Sequence, residues 1–190
     1  MFTYIPKKSK DIYNIIIAHR GYHYIYPENT IASYKEAIKR NMAIELDIRI
    51  TKDGYIVCIH DRYAKRLLGI KGRIAHMCLS QVEECNVCNT LQKVPLLNEV
   101  LNVISGKIPL LIEVKGLLTY EFENKLLYLI LNYDGIVYFH TENLISYYRL
   151  KNIWGDKVFF ILNPFRKRFM FLKNRYYKKL RKQNYHLYLT

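Results

Sequence analysis

Cysteine is scarce in this chain: Cys58, Cys78, Cys85 and Cys88 are the only four in 190 residues. That is too few for a disulfide scaffold at this length. Long apolar runs are missing as well. No window reaches the roughly 18 uncharged apolar residues that a membrane span requires, and the run around Ile15 to Ala18 is a strand's length. No basic start followed by an apolar stretch marks a secretory signal, so the expected location is the cytoplasm. With only 8 glycines and 5 prolines, no low-complexity linker or internal repeat divides the chain. At 51% hydrophobic and 24% charged, it can bury one sizeable core, which excludes disorder and a mini-protein and predicts one soluble domain over residues 1–190.

Acidic residues are also few, 16 against 30 Lys and Arg, for a formal net charge of +14. The excess lies late, with Arg166, Lys167, Arg168, Lys173, Arg175, Lys178, Lys179, Arg181 and Lys182 in one short segment. The bland reading is a solvated helix face over about 165–183, whose long stems cover apolar surface. A second is peripheral contact with anionic membrane, since Phe165, Phe169, Phe171, Tyr176 and Tyr177 set rings beside the charge;. Nucleic acid is the weakest of the three, because no recognition motif accompanies the charge.

What is present is an alternation of strand and helix patterns. Strands are expected at Ile15–Ala18, Ala43–Ile50, Tyr55–His60, Pro109–Val114, Ile136–Phe139 and Val158–Leu162, with a last one at His186–Leu189;. Helices are expected at Ile31–Asn41, opened by Asn29-Thr30, and at Leu97–Ile104, Phe122–Leu131 and Leu144–Leu150;. Residues 62–96 read as an insertion, with Asp53-Gly54 before it marking a tight turn;. This order predicts a parallel α/β fold.

Four charged fragments stand in or at the ends of the early apolar runs: His19-Arg20-Gly21, Glu45-Leu46-Asp47, His60-Asp61 and Glu113-Val114-Lys115. Residues i and i+2 of a strand share a face, so Glu45 and Asp47 oppose Ile44, Leu46 and Ile48, as Glu113 and Lys115 oppose Ile112 and Val114;. Strands with helices outside and acids inside fit the C-terminal mouth of a (β/α) barrel. A doubly wound sheet would need a glycine-rich first turn, and His19-Arg20-Gly21 is not one. Two histidines, three carboxylates and two cations suit metal-assisted attack on a phosphate ester, which requires charge neutralisation, a nucleophile and a proton for the leaving alkoxide. Three carboxylates form a hard oxygen cage suited to Mg2+ or Ca2+ rather than zinc.

His19-Arg20-Gly21, Pro27-Glu28-Asn29-Thr30, Ile44-Glu45-Leu46-Asp47, Thr51-Lys52-Asp53-Gly54, Ile59-His60-Asp61, Leu97-Asn98-Glu99-Val100-Leu101 and Ile112-Glu113-Val114-Lys115, taken in this order, resemble the glycerophosphodiester phosphodiesterase family. The resemblance implies a TIM-type barrel that hydrolyses small glycerophosphodiesters to glycerol 3-phosphate and an alcohol with one divalent cation. It matches His19 and His60 to the acid/base pair, and Glu45, Asp47 and Glu113 to the metal ligands. Arg20 and Lys115 match positions near the phosphate. Glu28 and Asn29 are either supports for these groups or a turn and helix start. Asp61 reads as a structural partner, and His23, His76, His140 and His186 as surface or packing residues.

Two departures carry weight. Phe139-His140-Thr141 stands where the family often has a Ser-Phe pair, and the chain stops where an eighth strand is expected, predicting a barrel of about seven strands that is open or dimerises through its edges;. The alternative function is therefore an inactive relative that binds phosphodiesters or anionic membrane surfaces. Cys85-Asn86-Val87-Cys88, with Cys78 and His76, has zinc-like spacing;. The competing reading makes residues 79–91 a short helix with small buried cysteines.

Overall fold

The computed structural model describes residues 3–4, 16–161 and 187–188. Its strands are β1 (Thr3–Tyr4), β2 (Ile17–His19), β3 (Ala43–Ile50), β4 (Ile56–Cys58), β5 (Leu110–Val114), β6 (Val137–Thr141), β7 (Val158–Phe160) and β8 (Leu187–Tyr188). The helices are α1 (Ile31–Lys39), α2 (Lys65–Leu68), α3 (Leu79–Glu83), α4 (Leu97–Ile104), α5 (Tyr120–Leu131) and α6 (Leu144–Trp154). The basic segment at 165–183 lies outside the described residues.

β2, β3, β5, β6 and β7 form one parallel sheet in that order, with β4 paired antiparallel to β3. The order advances in one direction without reversing, as in a barrel wall and unlike a doubly wound sheet. The expected strand at 55–60 is thus no stave. Thr51–Gly54 turns the chain back, with Gly54 at φ 83° donating to the Thr51 carbonyl at 3.1 Å. This reversal returns Ile59 to Asp47, whose carbonyl its N–H meets at 2.9 Å. β8 pairs antiparallel with β1 in a separate two-stranded sheet rather than extending the parallel one. Among the described residues β2 and β7 are the edges of that sheet.

Local chemistry sets the helix ends: α4 keeps the expected bounds, while α1 stops at Lys39 rather than Asn41, α5 starts at Tyr120 rather than Phe122 and α6 runs on to Trp154 rather than ending at Leu150. The Thr30 hydroxyl accepts from Ser33 N at 3.3 Å and the Ser33 hydroxyl accepts from Thr30 N at 3.2 Å, a reciprocal cap for α1;. Thr119 and Asn143 accept from the N–H groups of Phe122 and Ser146 to open α5 and α6;. Ser105 and Gly106, at φ 48° and 70°, end α4;.

Strand alternation sorts the two faces. Ile44, Leu46, Ile48, Leu110, Ile112, Val114 and Phe139 pack outward against Tyr34 and Ala37 of α1, Leu97, Val100 and Leu101 of α4, Phe122 and Leu126 of α5 and Leu150 of α6. Each such aliphatic side chain, fully buried, contributes roughly 1.5–3 kcal/mol. Inside the sheet, Leu111, Tyr138 and Phe159 form a small apolar floor with Ile17. One residue pair further along the same strands, that inner face becomes polar.

Residues 62–96 carry a second cluster, in which Leu67, Leu68, Ile74, Val82 and Val94 pack on Val57 and Ile59. The expected helix over 79–91 breaks after Glu83, and Cys88 and Asn89 take left-handed backbone at φ 51° and 56°. Cys88 is exposed and Cys78 and Cys85 half-buried, so of the four only Cys58 is a buried apolar filler. Among the described residues His76 and these cysteines do not gather into a ligand group. No helix among them is long and apolar enough to cross a membrane.

Candidate active site

Strand register assembles the polar layer. His19 lies opposite Glu45, Asp47 opposite Glu113, and Glu113 opposite His140. These side chains point into the sheet's inner face at its C-terminal end, above the floor of Ile17, Leu111, Tyr138 and Phe159. The buried polar side-chain atoms without a hydrogen-bond partner, among the described residues, all belong to this layer: His19 Nε2, Arg20 Nε, Glu45 Oε1, Asp47 Oδ1, both Glu113 oxygens and both His140 nitrogens. Buried polar groups normally find partners, and such a concentration marks a place built for something other than stability.

The turn after β2 sets the first two groups. Arg20 and Gly21 adopt φ 58° and 76°, which aims the Arg20 N–H at Glu45 Oε2, 3.0 Å away. A Cβ on Gly21 would lie 2.3 Å from the Ser33 hydroxyl, so α1 approaches too closely for any other residue;. His19 Nε2 stands 3.8 Å from Glu45 Oε2. Burial, reinforced by the Arg20 charge, lowers the His19 imidazole to about 4, leaving it neutral at pH 7;.

Asp47 is fully buried and heavily supported. Lys115 Nζ lies 3.1 Å from Oδ1, and Arg20 Nε lies 3.3 Å from Oδ2. Asn29, itself at φ 54°, donates from Nδ2 to Asp47 Oδ2 at 2.9 Å and accepts from the Asp47 N–H and the Tyr34 hydroxyl. Burial pushes the Asp47 carboxyl up, but Lys115, His60, Arg20 and the Asn29 bond outweigh it and hold the group ionised below its ordinary range. Burial likewise pulls the Lys115 ammonium down, and Asp47 and Glu113 more than offset it. Glu45 is the contrasting case: burial and the Asp47 charge raise its carboxyl to about 7.

His60, at the end of the return arm, is oriented through Nδ1 by Asp61 at 2.8 Å, and Arg49 donates twice to its carbonyl. Arg66 grips Asp61 through Nε at 2.6 Å and Nη2 at 2.8 Å, and reaches both oxygens of Glu28. Glu28 then bonds Arg20 at 2.8 Å. The result is a continuous chain of alternating charge, Asp61–Arg66–Glu28–Arg20–Asp47–Lys115–Glu113. The Arg66 hydrogen bonds, working against partial burial and together with His60, hold the Asp61 carboxyl at about 2 rather than its ordinary 3.8. A carboxyl depressed on folding contributes stability that is complete above about pH 3.8 and is lost as the pH falls toward 2. Arg66→Ala is therefore expected to destabilise the protein at pH 7, with the difference from wild type shrinking toward pH 2; urea melts at both pH values check this, and an equal difference at both would contradict it.

All nine residues singled out in the sequence, His19, Arg20, Glu28, Asn29, Glu45, Asp47, His60, Glu113 and Lys115, stand in or beside this layer. His140 is the correction. Expected at the surface or in packing, it is completely buried in the polar layer, with Nε2 3.5 Å from Glu45 Oε1 and Nδ1 4.0 Å from Glu113 Oε2. Strand alternation puts it on the face of Tyr138, but only the register of β6 against β5 shows that this face is the polar one. Arg66 was missed because its partners lie 5 and 38 residues away, across a tertiary contact. Glu45, Glu113 and His140 offer three donor atoms within 4.8 Å of one another, a group able to hold a metal ion. Asp47 lies just outside it, its oxygens turned to Lys115, Arg20 and Asn29.

Comparison with known proteins places this geometry. The chain is 33% identical over 152 residues to a glycerophosphodiester phosphodiesterase of Caldanaerobacter subterraneus, covering 73% of this chain and 61% of that one. It is 32% identical over 110 residues to human glycerophosphodiester phosphodiesterase 1, covering 53% of this chain and 33% of that one. The crystal structure of a Thermotoga maritima glycerophosphodiester phosphodiesterase superposes with a TM-score of 0.68 at 26% identity, over 89% of this chain and 70% of that one. An Agrobacterium tumefaciens glycerophosphodiester phosphodiesterase gives 0.67 at 26% identity, over 73% and 62%. These relatives share the TIM-type barrel, and this chain spans 26% to 61% of the first three curated relatives that it matches. The profile of the glycerophosphoryl diester phosphodiesterase family matches residues 19–186, and with the polar layer on those same strands this chain belongs to that family.

Proposed function

We propose that this chain hydrolyses a small glycerophosphodiester to glycerol 3-phosphate and an alcohol, with one divalent cation held by Glu45, Asp47 and Glu113 and with His19 and His60 moving the protons. The observation that carries the reading is the meeting of two imidazoles, three buried carboxylates and two cations on one inner face, in a chain of this family. The buried carboxylate and imidazole atoms without hydrogen-bond partners fit a cation;. When bound, it supplies a Lewis acid for a non-bridging phosphate oxygen.

The chain's own groups account for the rest. Lys115 stands in ion-pair contact with Asp47 and Glu113, at 3.1 and 2.7 Å, and its ammonium is the first phosphate cation. Arg20, fixed at its far end by Glu28, is the second phosphate cation. His19 is neutral at working pH and able to accept a proton;. His60 has Nδ1 committed to Asp61, so Nε2 is the ring atom that exchanges a proton with substrate;.

The test is product identity: glycerol 3-phosphate and alcohol released in equal amounts from glycerophosphocholine or glycerophosphoglycerol by the purified chain. A folded chain that binds these diesters without releasing product would instead be a binding-only relative.

A further inference from the structure

His140 has no role in that reaction, yet among the described residues it is the one histidine that is fully buried. Its side chain is 0% exposed, and neither ring nitrogen has a hydrogen-bond partner. Leaving buried polar atoms unpaired is costly, so a ring in this position calls for a partner. Its neighbours are two carboxylates, Glu45 Oε1 at 3.5 Å from Nε2 and Glu113 Oε2 at 4.0 Å from Nδ1. Both distances exceed a hydrogen bond. Two donors on one ion, with metal bonds of about 2.1 Å, lie at most roughly 4.2 Å apart, and one donor atom each from Glu45, Glu113 and His140 gather within 4.8 Å of one another, close to that reach.

Resting on the reading above, we infer that His140 gives one ring nitrogen to the cation held by Glu45, Asp47 and Glu113. The centre of this chain then has a mixed nitrogen and oxygen donor set and favours Mn2+, Co2+ or Zn2+ over the Mg2+ or Ca2+ that carboxylates alone would select. Imidazole is a good ligand for first-row transition ions and a poor one for Mg2+ and Ca2+, which take oxygen. Asp47 shares its oxygens with Lys115, Arg20 and Asn29, so a further donor from β6 strengthens the centre that the three carboxylates form.

Two readouts test the inference without relying on turnover. Calorimetric titration of the full chain and of His140→Gln, which keeps size and polarity, compares Co2+, Zn2+ and Mg2+. Loss of His140 is expected to cost about tenfold or more in Co2+ and Zn2+ affinity while Mg2+ affinity changes by less than about threefold. Electron-spin-echo modulation of Mn2+ bound to the wild-type chain is expected to show a directly coordinated imidazole nitrogen that disappears in His140→Gln. The wild-type spectrum stands even where the variant fails to fold. A spectrum without that nitrogen, or transition-ion affinities unmoved by the substitution, would overturn the inference while leaving a cation at the carboxylates. Absence of divalent binding altogether would overturn both it and the proposed function.

Discussion

His60→Ala is expected to lower kcat for glycerophosphocholine hydrolysis by about 10²–10⁴-fold, the usual contribution of a positioned acid or base. The size follows from how completely the ring is committed. Asp61 holds Nδ1 at 2.8 Å, Arg66 holds Asp61 with two bonds, and Arg49 holds the His60 carbonyl. Removing the ring gives up its contact with Asp61 but leaves the Arg66–Asp61 bonds and the Arg49 bonds to the His60 carbonyl in place, so the melting temperature is expected to change little. The His60 side chain is partly exposed and does not fill the core. Steady-state kinetics with a parallel melt checks both halves, and a loss below tenfold would remove His60 from the proton transfers.

Lys115→Met carries the largest expected effect on stability. Its side chain is 10% exposed and pairs with Asp47 and Glu113, both 0% exposed. Removing one partner of a buried ion pair leaves uncompensated charge and costs roughly 3–5 kcal/mol. Here two carboxylates lose the same cation. In a protein of this size each kcal/mol moves the melting midpoint by about 2–4 °C, so a drop of about 10 °C is expected in chelator. A divalent cation supplies positive charge to the same carboxylates, so adding one should restore part of the drop. An unchanged midpoint in chelator would mean that Lys115 is not what balances Asp47 and Glu113.

The fold and the site were legible to different depths. Glu45 and Asp47 could be read because strand alternation puts them together against Ile44, Leu46 and Ile48, a pattern internal to one element. The same holds for α4, whose Leu97, Val100, Leu101 and Ile104 mark one face from the sequence alone;. Asp53-Gly54 announced its turn, but only the structure shows that the arm after it runs antiparallel and carries His60 back beside Asp47. His140 could not be read in this way, because its partners Glu45 and Glu113 come from β3 and β5, and register alone brings them together. Arg66 lies in the 62–96 segment, where no periodicity ties it to Glu28. Groups whose meaning depends on one strand were visible, and groups whose meaning depends on neighbouring strands or loops were not.

The most direct measurement is glycerol 3-phosphate release by the purified chain after complete chelation, followed by stepwise return of divalent cation. Turnover that is absent in chelator and rises to saturation as one equivalent of cation binds is the predicted result, since Glu45, Glu113 and His140 are buried and bring their donor atoms within 4.8 Å of one another. Full turnover in chelator, with no response to added cation, would contradict the account and leave the polar layer to Lys115, Arg20 and the histidines alone.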